Sequence, residues 1–249
     1  MTAHGGAKTR TSAAALQTIG GIAAIAGGLL TQLSGAMHPV ETATLFDPAV
    51  HLGEVAANPS WNLVYLGFTL GFVLLLVGFG AIAAAAEDGV SPWGTIARDV
   101  AIATTAVALV FFVVDGFATR VVAVAMVASG SSGPTVAAAG AIDAMGRAFF
   151  GHWTLLSWGV TPLLFGVAVA RSARFKAWLG AVPLVSGSLG LLSGGIQAFG
   201  DFSLGLLPLF YGAVFLFDVW MVGMGVLLIR RARAGVTQES LSPGALSTS

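Results

Sequence analysis

No cysteine occurs among the 249 residues, which excludes disulfides, thiolate metal sites and cysteine nucleophiles. Charge is almost as scarce. Only 9% of the residues are charged, against about 25% in a soluble domain, too few to cover a water-facing surface. Eleven basic residues balance eleven acidic ones, so the chain offers no basic face for nucleic acid. No lysine lies inside any long apolar run, which excludes a retinal Schiff base. The HExxH zinc pattern is also missing.

What the chain has in abundance is apolar surface. Hydrophobic residues make up 56% of it and the mean hydropathy is +0.90. A membrane helix needs about 20 apolar residues, and six stretches supply them: roughly 13–36, 61–86, 97–120, 152–171, 177–199 and 204–229. Turn or polar signals such as "HPVE", "NPSW", "GSSGP" and "RSARFK" separate them. The fold class expected is therefore an all-α, polytopic bundle of six transmembrane helices. It is preceded by a short tail, residues 1–12, and followed by a small, polar and disordered one, residues 231–249. The first stretch is longer than the roughly 7–15 apolar residues of a signal peptide, so it reads as a retained helix.

Basic residues set the expected orientation. With the N-terminus cytoplasmic, Lys8, Arg10, Arg98, Arg171, Arg174, Lys176, Arg230, Arg231 and Arg233 fall inside, leaving only Arg120 and Arg147 outside. Both termini are then cytoplasmic and the protein sits in an inner (plasma) membrane with lipid as its first partner. Thirty-four glycines fit close helix crossings. Gly20, Ala24 and Gly28, and likewise Ser186, Gly190 and Gly194, repeat every four residues along one helical face. Such faces also suit a homo-oligomer or a partner membrane subunit. Pro162, Pro183 and Pro208 are expected to kink their helices and open a cavity.

Charges inside a bilayer are costly unless paired or wet, so each one is a candidate for function. Asp218 lies twelve residues from Arg230, about 18 Å up its helix and near mid-membrane. Asp115 lies seventeen residues from Arg98, about 25 Å up. These two are the candidate catalytic acids. Tyr211, Trp220, Arg120 and His152 are the candidate substrate-binding residues around them. Asp218 is expected to face the bundle interior and hydrogen-bond to a neighbouring helix.

The polar passage "MHPVETATLFDPAVHLGEV", residues 37–55, collects two histidines and three acids. Pro39 stops the first helix after His38, while Asp47 and Pro48 form an N-cap and first position for a short helix. That helix puts His51 and Glu54 on one face. With His38 and His152 at the same level they form a candidate metal shell for zinc, iron or manganese; the other reading is a solvated lid over the outer mouth. Asp143 and Arg147, four apart with the acid first, are expected to pair on a solvated helix extension. Asp115 and Arg120, five apart, each need a partner elsewhere. Haem would need two facing histidines, for which only His38 and His152 are available, so no cofactor is assigned.

The stretch "GHWTLLSWGVTPLLFGVAVARSARFKAWLGAVPLVSGSLGLLSG", with the later "FLFDVWMVGMGVLLIRR", resembles a family of six-span bacterial membrane proteins known only as a domain of unknown function. The resemblance covers roughly the second half of the chain: a Trp-Thr helix start, a short basic loop before "WLG" and a last helix containing tryptophan. It implies the six-span fold and carries no activity. Three functions are thus open. The first is a solute-binding or transport protein with an outward-facing polar crevice reaching Asp218. The second is an accessory or sensory subunit. The third is an enzyme acting on a lipid or isoprenoid, with Asp218 or Asp115 as general acid.

Overall fold

The computed structural model describes residues 3–38, 47–87, 91–130, 133–199 and 206–240, and all of its regular structure is helical. Six helices are long and apolar enough to cross a membrane: Ser12–Met37, Trp61–Ala86, Trp93–Ala128, Gly133–Arg171, Ala177–Phe199 and Leu207–Ala234. Their outward faces carry large apolar side chains such as Ile19, Leu33, Leu63 and Val121, each more than half exposed. Only lipid suits such a surface, and the chain has the build of a multi-pass membrane protein.

Helix α1 (Ala3–Met37) packs between α3 (Trp61–Ala86) and α9 (Leu207–Ser240). Small residues make the crossings possible. A β-carbon added at Gly20 would lie 2.0 Å from that of Ala81, and one at Gly78 would lie 2.8 Å from that of Ala24. The second expected ladder is equally tight: a β-carbon at Gly190 would stand 2.0 Å from the Trp158 carbonyl oxygen, and Ser186 Oγ donates to the Ala213 carbonyl at 2.8 Å.

Between Met37 and Trp61 lies the short helix α2 (Pro48–Ala57), capped by Asp47, whose carboxylate accepts from the Ala49 and Val50 amides at 3.0 and 3.4 Å. The third and fourth spans are longer than their apolar runs. The third comprises α4 (Trp93–Phe111), a π-helical stretch Phe112–Ala118 and α5 (Thr119–Ala128). The fourth comprises α6 (Gly133–Trp153), a π-helical stretch Thr154–Val160 and α7 (Thr161–Arg171). No proline interrupts the alanine-rich residues 121–128 or 136–148, so both helices continue past the apolar runs and project together. α2 lies against this projecting hairpin. The fifth span is α8 (Ala181–Phe199), entered through a 3₁₀ turn at Ala177–Gly180.

Two expected proline kinks have no reason to form. Pro183 and Pro208 fall in the first turns of α8 and α9, where the missing amide has no intrahelical partner to lose. Pro162 sits where the π-helical stretch returns to α7. The last helix runs on to Ser240. Glu41, Asp201 and residues 241–249 lie outside the described residues.

Candidate functional site

A partly open cavity of about 350 Å³ lies in the half of the bundle nearest α2. Of its eighteen lining residues, ten are aromatic, and both tyrosines of the chain, Tyr65 and Tyr211, are among them. The two π-helical stretches meet here: Phe112 and Asp115 come from one, and Trp158 comes from the other, with Trp153 just before it. π-Helical turns are rare and concentrate at functional sites. Carbonyls of the first stretch take side-chain donors. Thr119 Oγ1 donates to the Val114 carbonyl at 3.0 Å, and the Trp61 indole donates to that of Gly116 at 2.9 Å.

On the wall nearest α2, His38, Tyr65 and Asp115 form a hydrogen-bonded row. Tyr65 donates its single proton to Asp115, so at its 3.1 Å contact with His38 Nε2 the phenol oxygen accepts and the imidazole donates. Two glycines make room. A β-carbon at Gly116 would lie 2.3 Å from Tyr65 Cγ, and one at Gly146 would lie 2.5 Å from Asp115 Oδ1. Asp115 therefore has the partner on another helix that its spacing from Arg120 required. Arg120 finds its own partners in the carbonyls of Val55 and Asn58 at the end of α2, and it belongs to the fastening of α2 rather than to the cavity wall.

At the deep end stand Thr31 and Gln32. Behind them Asp218, 1% exposed, accepts from Thr31 Oγ1 at 2.9 Å and Gln32 Nε2 at 2.8 Å, both on one oxygen. Asp218 thus faces inward and bonds to a neighbouring helix, but the cavity stops at Thr31 and Gln32, and Asp218 is not among its lining residues. Trp220 is also remote from the cavity: its indole donates to the Leu179 carbonyl at 2.7 Å and its ring stacks on Phe217. Of the candidate substrate-binding residues, Tyr211 alone lines the space.

The proposed metal ligands do not converge. His38 is bound to Tyr65, whereas His51 reaches Asp143 at 3.4 Å. Glu54 is exposed. His152 is exposed too, with its ring against Phe199 and Nδ1 on the Ala148 carbonyl. Among the described residues no group of three His, Asp or Glu side chains is placed to hold a metal ion. One helical turn separates His51 from Glu54, but α2 turns His51 toward the hairpin and Glu54 to solvent.

Asp143 pairs with Arg147 at 2.7 Å as their spacing requires. The setting differs from a solvated extension: Asp143 is 2% exposed, because α2 covers it. Burial pulls the His51 pKa below the usual imidazole range, and Arg147 acts in the same direction, while Asp143 and Glu54 oppose it. The two ends of α2 are thus tied down by Arg120 and by the His51–Asp143 contact.

Tyr65, Thr31 and Gln32 escaped the reading of the sequence. The signal for them was compositional: Tyr65 is one of only two tyrosines, and Gln32 is an amide inside an apolar run. Compared with protein-family models, with curated proteins and with solved structures, the chain matches none.

Proposed function

We propose that this protein is a binding or carrier protein of a bacterial inner membrane that takes a lipophilic small molecule sideways out of the bilayer. The observation that carries the reading is the aromatic cavity with one polar wall. Its volume, about 350 Å³, is that of a small-molecule site, for which about 300–1,000 Å³ is usual. Its rim includes the exposed Ala36 of α1 and the half-exposed Tyr211 and Phe215 of α9. Phe215 lies eight residues into α9, about 12 Å along it, so this rim is on the flank of the spans and opens toward lipid. The polar wall of His38, Tyr65 and Asp115 then orients the ligand's polar end. With both termini cytoplasmic, that wall and α2 face outward.

A second reading is favoured by the Tyr65–Asp115 contact. A carboxyl in an apolar cavity, oriented by a phenol, suits a general acid acting on a lipid or isoprenoid substrate. Both readings use the same cavity, so the first test is occupancy. Gly35 lines the cavity, and a β-carbon there meets nothing within 4 Å; Gly35→Phe therefore adds a ring from a point on the wall where the first side-chain atom has room. In nanodiscs, 11-bromoundecanol should quench tryptophan fluorescence strongly in the native protein, because Trp153 and Trp158 line the cavity. Gly35→Phe should remove at least half of that quenching. Equal quenching in the two proteins would sink the proposal.

A further inference from the structure

The ligand's charge can be inferred from the walls. This inference rests on the cavity reading above and narrows it. Aromatic rings carry negative charge on their faces, and a box of such faces with a carboxylate attracts an organic cation. Here ten rings line the space, no lysine or arginine does, and Asp115 is the single carboxylate among the lining residues.

The basic residues of this end are engaged by other groups. Arg120 is held by two carbonyls of the α2 end and Arg147 by Asp143. Asp115 itself is held in place: Tyr65 donates to Oδ2, and Oδ1 lies against Gly146, where a β-carbon would come within 2.5 Å of it. The glycine at that point keeps the second oxygen from being crowded out.

A neutral, flat ligand would gain from the rings but would find little use for a carboxylate already fixed by a phenol. An anion would meet the carboxylate with no lysine or arginine on the lining to offset it. A cation with an apolar body satisfies every wall, with its head at Asp115 and its body among the rings toward Phe215. We infer that the cavity selects a lipophilic organic cation, of the alkylammonium class, with Asp115 as counter-ion and the surrounding rings as the cage.

The test uses the full-length protein in maltoside micelles. Binding of benzyltrimethylammonium is measured by calorimetry beside neopentylbenzene, its uncharged isostere, whose binding is read from displacement of 11-bromoundecanol quenching. The cation should bind the native protein at least tenfold more tightly than the isostere. Asp115→Asn, which keeps the shape and a hydrogen-bond acceptor for Tyr65, should reduce that preference to about threefold or less while leaving the isostere's affinity unchanged. Tyr211→Leu removes a ring on the rim without touching the buried row; it should weaken the cation more than the isostere, and it serves where Asp115→Asn proves unstable. An isostere that binds as tightly as the cation overturns the inference, as does a cation preference that survives both substitutions. In those cases the cavity reading stands if Gly35→Phe still blocks quenching. Failure of Gly35→Phe to affect any ligand removes both.

Discussion

Of the carboxylates within the spans, Asp218 and Asp115 are superficially alike and are used differently. Asp218 is enclosed, accepts two hydrogen bonds from α1 on one oxygen, and lines no space. It holds α9 to α1 at a crossing where Gly28 lets the α9 backbone approach. Asp115 sits farther from the middle of its span, on a cavity wall, in a row of hydrogen bonds that begins at the end of α1. Depth in the membrane marks the costlier residue; access marks the one a ligand can meet. Depth alone points to Asp218, and the cavity points to Asp115.

The glycines beside the two acids should separate these roles most strongly. At Gly116 an added β-carbon collides with the Tyr65 ring, whereas at Gly28 it would meet the Asp218 carbonyl oxygen at 3.2 Å. Overpacking of the first kind costs typically 1–3 kcal/mol. Gly116→Ala should therefore destabilise the purified protein by about 2 kcal/mol in reversible SDS unfolding and abolish ligand binding, and Gly28→Ala should cost only about a quarter of that. If both substitutions cost the same, the cavity wall is no more tightly built than the helix crossing.

Removing the acids themselves gives the next effect. Asp218→Ala leaves Gln32 without its acceptor, while the Thr31 hydroxyl keeps the Gly27 and Gly28 carbonyls, and should cost about 1 kcal/mol, since interhelical hydrogen bonds in membranes are worth roughly 0.6–1.7 kcal/mol each. Ligand affinity should change less than threefold. Asp115→Ala should do the reverse, with a smaller stability loss and a large loss of affinity. Identical phenotypes would erase the distinction between clamp and site.

The smallest effect concerns α2. His51 is buried enough that its neutral form is favoured in the folded protein. As pH falls below the ordinary imidazole range the unfolded chain takes up the proton first, so stability present above that range is lost as pH passes down through the lowered folded value. Thermal unfolding followed from pH 7.5 to pH 5 should show a modest decline that His51→Gln flattens. An unchanged slope in His51→Gln would detach the histidine from the fastening of α2.

Much of the architecture was written in simple features. Six runs of about 20 apolar residues leave few alternatives to six spans, and Asp47-Pro48 marks the start of α2 by its capping chemistry. The inward orientation of Asp218 followed from the cost of a carboxyl in lipid. Other features depend on distance in space. Tyr65 and Asp115 are fifty residues apart, and no local pattern announces their meeting. The histidines share a level along the bundle, yet azimuth around it parts His152 from His38 and His51. The covering of Asp143 depends on where α2 folds back, and a surface pair by spacing became a buried one by tertiary contact.

Those π-helical stretches have a consequence for anyone mapping the protein residue by residue. Each hydrogen-bonded loop there closes over one residue more than in an α-helix, so the faces before and after it differ in phase by about 100°. A cysteine or spin-label scan along Trp93–Ala128 or Gly133–Arg171 would therefore not follow one sinusoid of accessibility. It would follow two, with the slip falling at 112–118 in one span and 154–160 in the other. A helical wheel drawn through the whole of either span would set Thr119–Ala128 or Thr161–Arg171 about 100° out of register with the residues before the slip.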